Sequence, residues 1–478
     1  MSPTFLIIVL IALSVFGYYF GRGRATAMVS GQMRELHSRP NYYGFYVALW
    51  CAVPATAVAA GWLIFQPLIA ENIFVSNLPE AMKNLPADPT AVIAVGKAAA
   101  AMATAVRDGG CDAPGIIVTT DESHAEVAGM TCFASSHPVP DARGLAASEA
   151  VMDLASGLSA DDHLLLLVSG GGSALLPAPA DGMTLADKQA LNEALLASGL
   201  DIHDMNVVRR LFSKLKGGRL ARMAAPAAVT QFLLSDVPGD RLESIASGPA
   251  VADPVPLDHA LALIADAGLD RLDFMPAQLR RIADGTADLP LRAGDPVTAR
   301  VTSHLLASNT ICRAAARDVL SAALPGMEEV QLPDLAGEAT DCAAHLAELM
   351  SGGNKGAGLW AVTGGETTVQ LGASPGKGGR AQEMGIAYAA RMHDAGTGTG
   401  WAGLIGGTDG RDGPTDAAGA ILGSDDPFDA AAAARALAAH DSYSYLDAHG
   451  QLLKVPPTGT NLGDIGIFIA AGSGQQGD

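Results

Sequence analysis

Short apolar runs recur along most of the chain, and most of them lead into a cluster of glycines and small polar residues. Ala91–Val95 enters Gly96-Lys97 and then an alanine-rich stretch, and Gly115–Thr119 is a second run. Leu164–Val168 ends in Ser169-Gly170-Gly171-Gly172-Ser173. Val229–Leu234 ends in Ser235-Asp236-Val237-Pro238-Gly239-Asp240. Leu359–Val362 ends in Thr363-Gly364-Gly365-Glu366, and Trp401–Ile405 in Gly406-Gly407-Thr408-Asp409-Gly410. Runs of this kind, separated by helical stretches, predict a mainly parallel sheet in an α/β fold. Ligands of such sheets bind just beyond the carboxyl ends of the strands, where these clusters fall. The tract Asp429–Ala439 predicts a helix, because alanine is the best helix former. A softer stretch, Leu289–Ala299, marks the predicted boundary between a domain over 79–295 and another over 296–478.

Residues 1–78 follow a different pattern. Phe5–Phe20 and Phe45–Ile69 are uncharged and mostly apolar, the first slightly short of the roughly 20 residues that cross a bilayer. Tyr42, Tyr43, Trp50 and Trp62 stand near the second run as interfacial anchors do. The expectation is two membrane helices, with membrane contact through 5–20 and 45–69. The intervening loop, 21–44, carries Arg22, Arg24, Arg34 and Arg39 against Glu35, which predicts a cytoplasmic loop. That orientation conflicts with a cytoplasmic position for the rest of the chain.

The chain has 478 residues, enough for two to four domains and for a core that needs no disulfide or metal staple. Its net charge of -20 argues against a nucleic-acid binder, which needs a basic face. The five cysteines show no CxxC spacing, so zinc and iron–sulfur sites are poorly supported.

Ser169–Ser173 follows a strand and precedes a helix-like segment, where backbone N–H groups hold anions. No Gly-Lys-Ser/Thr follows it at Walker A spacing, and no GxGxxG follows any strand. Lys97 reads as a solvated lysine at a helix start or as a point charge that meets a phosphate. Asp236 and Asp240 flank Val-Pro-Gly, where a carboxylate accepts a hydroxyl proton or holds Mg²⁺, or simply caps a turn. Asp409, Asp412 and Asp416 form a second acidic cluster, without the Glu of a calcium loop. Arg380 ends Gly-Lys-Gly-Gly-Arg and is a candidate clamp for phosphate or carboxylate. Arg209, Arg210, Lys214, Lys216 and Arg219 read by default as a solvated helix face, or as a basic patch attracting an anionic substrate. His137 before Pro138 reads as a turn histidine.

Two resemblances follow from these stretches. FGYYFGRGRA with LHSRPNYYGFYVALWCAVPA resembles the amino-terminal region of the phosphate ABC-transporter permease PstC, over residues 1–78 only. No further long apolar run follows, so transport does not carry over. Residues 79–470 resemble the glycerate 2-kinases that pair an α/β domain with a MOFRL domain. The matching stretches are VIAVGKAAAAMA, SSHPVPDARG, LVSGGGSALLPAP, MNVVRRLFSKLKGGRLA, LLSDVPGDRLESIASGPAVADP, GGETTVQLGASPGKGGRAQEM, GGTDGRDGPTDAAGAI and PTGTNLGDI. The chain thus reads as a join of two families.

The kinase resemblance implies a Rossmann-like parallel sheet, then a mixed α/β MOFRL domain. It implies transfer of the ATP γ-phosphoryl group to D-glycerate, giving 2-phosphoglycerate, with Mg²⁺. Lys97, Asp236 and Arg380 fall on catalytic positions. Substrate binding is assigned to Lys97, Arg209 and Arg380. Nucleotide binding is assigned to Gly170, Gly171, Gly172, Ser173, Gly364, Gly365, Glu366, Thr408 and Asp409, and metal to Asp236 and Asp240. The alternatives are a phosphate-transport component, from residues 1–78, and a hydroxypyruvate reductase, which needs a dinucleotide fingerprint.

Overall fold

The computed structural model describes Met82, Leu85 and residues 87–352, 358–372, 374–395 and 400–472. Among them, residues up to Ala314 with Thr458–Gly463 form one compact unit. Ala315–Pro457 with the residues from Asp464 form the other.

The first unit holds six strands: β1 Ala91–Val95, β2 Gly115–Thr120, β3 Met130–Ser135, β4 His163–Val168, β5 Ala228–Ser235 and β6 Val301–Ser308. They pair in the order β3-β2-β1-β4-β5-β6, every pair parallel. Strand order reverses between β1 and β4, and in an open α/β sheet that reversal leaves a crevice at the carboxyl ends of the two strands. Every residue of β1 and β4 is buried, as in a sheet covered on both faces. One face packs Ile93, Val95, Leu164, Leu166 and Val168 against Val151 and Leu220. A separate helical cluster gathers Leu191, Leu195, Val208, Phe212, Ile264 and Met275. Local sequence starts the helices: Asp141 accepts from Gly144 N at 3.0 Å, and Thr184 with Asp187 makes a reciprocal capping box.

The second unit holds β7 Glu328–Glu329, β8 Leu359–Gly365, β9 Trp401–Gly407, β10 Gly419–Gly423, β11 Leu452–Leu453 and β12 Asp464–Ala470. The order is β11-β10-β9-β12-β8-β7. β12 runs antiparallel to both β8 and β9, so the ends of those two strands and the start of β12 share one edge. Asp464 is paired with Gly365 on one side and Gly407 on the other. Tyr388 packs on Trp401 and Phe468 at ring separations of 5.8 and 4.5 Å, fixing the helix Arg380–Asp394 to this sheet.

The expected membrane segment needs correction. Among the described residues no helix is long and apolar enough to cross a membrane, and Ala142–Ser156 and Arg380–Asp394 are only 15 residues long. The runs 5–20 and 45–69 lie outside the described residues.

The buried central strands predict where truncation is costly. Leu166→Ala, at a position with no exposure, is expected to cost about 2–5 kcal/mol in urea denaturation. Leu196→Ala, 70% exposed, is expected to stay within about 0.5 kcal/mol of the parent.

Candidate active site

At the carboxyl ends of β1 and β4 the two backbone turns nearly touch. Gly96 has φ +125°, and a Cβ on it would collide with the Ser169 hydroxyl and carbonyl. With glycine there, the Ser169 Oγ accepts from Ala98 N at 3.1 Å, and Lys97 N donates to Gly170 O at 2.9 Å. The two turns are thereby locked together, and Lys97 is carried to the glycine-rich loop. The Lys97 Cγ and the His137 ring stand 3.2 and 3.3 Å from where a Gly171 Cβ would be.

Asp236, at the end of β5, completes the group. Its carboxylate lies where a Cβ on Gly170 would project, so only glycine lets the loop reach it. Burial raises the Asp236 pKa above the ordinary carboxylate value, and the Lys97 charge only partly offsets this. His137 is held below its ordinary value by partial desolvation and by Lys97.

The structure therefore brings Lys97, Gly170–Ser173 and Asp236 together and adds His137. Asp240 sits in the turn after β5 with φ +52°. Among the described residues no three His, Cys, Asp or Glu side chains are grouped to hold a metal ion, so Asp236 and Asp240 belong to no such cluster. Arg209 lies half-buried on the helix Ile202–Leu211, engaged by Asn192 and Asn206 at 3.3 Å each.

The basic stretch is not a solvated face. Arg210, Lys216 and Arg219 are buried, as is Lys188. Arg210 pairs with Asp253 through two contacts of 3.1 Å. Lys216 and Lys188 are held mainly by carbonyl oxygens. Spacing could not reveal this, because an ammonium solvated by backbone carbonyls has the same sequence as one solvated by water.

The second unit holds its own cluster. Arg380 opens the helix Arg380–Asp394. Its Nε and Nη2 donate to the two oxygens of Asp464 at 2.7 and 3.0 Å, and Nη1 pairs with Glu366 at 2.6 Å. Burial works against the charge, but Asp464 and Glu366 raise the guanidinium pKa. Asp464 is buried and Glu366 exposed. Gly364, Gly365 and Glu366 close β8, and Thr408 and Asp409 follow β9, on the edge where Asp464 begins β12.

Gly379 gives this helix no side-chain cap, and Asp412 supplies it from a distant loop. Its carboxylate accepts from Ala381 N at 3.2 Å and Gln382 N at 2.8 Å. Asp464 and the capping role of Asp412 were not legible, since their partners lie 84 and about 30 residues away.

Burial, aided by the nearby Asp464, raises the Asp412 pKa from 3.8 to about 7 despite two N–H bonds and Arg380. The folded state thus keeps a proton that the unfolded chain gives up. That contribution is most favourable in acid and is lost as pH rises through about 7. Relative to the parent, Asp412→Asn should therefore gain stability as pH rises from about 5 to about 8 in urea denaturation.

Comparison with known proteins agrees with this architecture. Residues 57–283 match the "Domain of unknown function (DUF4147)" and residues 359–464 the "MOFRL family". A protein of Agrobacterium vitis, provisionally named hydroxypyruvate reductase, is 42% identical over 83% of this chain and 89% of its own length. The glycerate 2-kinase of Pyrococcus horikoshii is 34% identical over 79% of this chain and 86% of its own. The crystal structure of glycerate kinase from Thermotoga maritima superposes with a TM-score of 0.75 and 31% identity, covering 88% of this chain and 99% of that one. The family match begins at residue 57, inside the run 45–69. With the glycerate kinase structure covering 88% of this chain, the expected membrane association through the amino-terminal segment is not supported. The chain is a kinase and belongs to the glycerate kinase family, and in it a DUF4147 match is followed by a MOFRL match.

Proposed function

We propose that this enzyme transfers the γ-phosphoryl group of ATP to the C2 hydroxyl of D-glycerate, giving 2-phosphoglycerate and ADP. The observation that carries the reading is the convergence of Lys97, the Gly170–Ser173 loop and Asp236 at the β1/β4 crevice. A cation, a loop with closely approaching backbone and a buried carboxylate are the parts that phosphoryl transfer requires.

The roles follow from the chemistry of each group. The loop presents backbone to the phosphates, and Lys97 neutralises charge on the transferring group. The C2 hydroxyl oxygen forms a bond to the γ-phosphorus as the bond to the ADP oxygen breaks. Asp236 takes the hydroxyl proton, and its raised pKa makes it a better base than an exposed carboxylate. Mg²⁺ would arrive on the nucleotide and needs only one or two protein carboxylates, which suits a chain without a grouped metal site among the described residues.

Arg380, a residue of the second unit, is assigned to the anionic reactants. Buried Asp464 fixes two of its nitrogens, and exposed Glu366 is the partner that an incoming phosphate or carboxylate displaces. The nearby Gly364, Gly365, Thr408 and Asp409 are assigned to the nucleotide, and Arg209 to the substrate. The hydroxypyruvate reductase name carried by relatives finds no support here, because β1 leads into Gly96-Lys97-Ala98 rather than a dinucleotide fingerprint.

Two substitutions test this in an assay of glycerate-dependent ADP release. Asp236→Asn should lower kcat by about 10²–10⁴-fold while ADP affinity changes little. Arg380→Ala should lower kcat/KM by on the order of 10²–10³-fold. Parental turnover in either variant would remove that residue from the mechanism.

A further inference from the structure

The segment Ser213–Arg219, SKLKGGR, has no place in the chemistry above, yet it is tied to the glycine-rich loop from behind. Lys216 is 3% exposed. Its Nζ donates to Ser173 O and Leu176 O, both at 2.9 Å. These carbonyls bracket the single turn Gly172–Leu175 that leaves the loop. The next two residues bind a third segment: Gly217 N donates to Ser247 O at 3.1 Å and Gly218 N to Gly248 O at 2.8 Å. Ser247 returns to the loop, its Oγ 2.7 Å from Ser173 Oγ. A closed ring of hydrogen bonds therefore joins Ser173, Lys216–Gly218 and Ser247.

Two further features show that the ring is held firmly. Ala246 and Ser247 sit at φ +49° and +60°, which non-glycine residues rarely adopt unless their surroundings impose it. Arg219 donates to the carbonyls of Arg210, Leu211 and Lys216, anchoring the bracket to the end of the helix Ile202–Leu211.

A methionine would fill the Lys216 site without the cost of desolvating an ammonium, and that cost is substantial here. Burial, with Arg209 adding to it, lowers its pKa to about 7, and the Lys188 ammonium shares the same interior. What the lysine gives in return is a pair of hydrogen bonds that fix the Ser173 and Leu176 carbonyls next to the loop.

We propose that Lys216 is a positioning residue for phosphoryl transfer, holding the turn Ser173–Leu176 so that the Gly170–Ser173 loop keeps its nucleotide-binding shape. This rests on the reading of that loop as the phosphate cradle.

The test compares ADP affinity by calorimetry in the full-length chain. Lys216→Met is expected to weaken ADP binding and raise the nucleotide KM by about tenfold or more, leaving the glycerate KM within about threefold. Lys216→Arg, which restores N–H donors toward the two carbonyls, should recover part of the loss. Leu195→Ala, a destabilising change in the separate helical cluster, should bind ADP like the parent. Should Lys216→Met not fold, Lys216→Gln is read the same way. Parental ADP affinity in the uncharged variant, or an equal loss in Leu195→Ala, overturns the proposal. If Lys97→Ala weakens ADP binding and Lys216→Met does not, only the positioning role fails. If neither does, the cradle reading fails with it.

Discussion

The backbone contact between Gly96 and Ser169 is the constraint on which the first unit's site depends. Two parallel strands deliver their ends to the point where strand order reverses, and no side chain fits between the turns. The hydrogen bonds from Lys97 N and Ala98 N lock the turns in register. Placement of Lys97 against Gly171, and of Asp236 against Gly170, then follows from the sheet rather than from the side chains themselves.

Both units match an arginine with a buried carboxylate, Arg210 with Asp253 and Arg380 with Asp464, but the first also buries cations among carbonyls. In the first, Lys188, Lys216 and Arg219 are held mostly by carbonyl oxygens, and burial lowers the pKa of both lysines. In the second, Arg380 is matched by Asp464 and Glu366, and Asp412 caps the helix that Arg380 begins. The first arrangement fixes backbone carbonyls beside the glycine-rich loop. The second keeps a guanidinium charged and oriented, with an exchangeable exposed partner.

Much of this was legible in the sequence, for a physical reason. β1, β4, β5, β8 and β9 are buried strands whose apolar runs are hardly interrupted, and each unit's candidate residues follow its own strands. β6 was not legible: it lies at the sheet edge, and Thr302, Ser303 and His304 are exposed there. β12 is central, but Gly466, packed against Phe468 and Thr363, breaks its apolar pattern. The buried cations were misread because local sequence cannot distinguish solvent from a shell of carbonyls. The membrane expectation arose from hydropathy, interfacial aromatics and a resemblance confined to residues 1–78, and the relatives that match most of the chain do not support it.

The most direct test of the central claim is the chemical identity of the product. The full chain is incubated with D-glycerate, ATP and Mg²⁺, and the phosphorylated product is resolved by ³¹P NMR against the two phosphoglycerate isomers. The account predicts 2-phosphoglycerate in step with ADP. Exclusive 3-phosphoglycerate, or no phosphorylated product from folded protein that oxidises NAD(P)H with hydroxypyruvate, would contradict it.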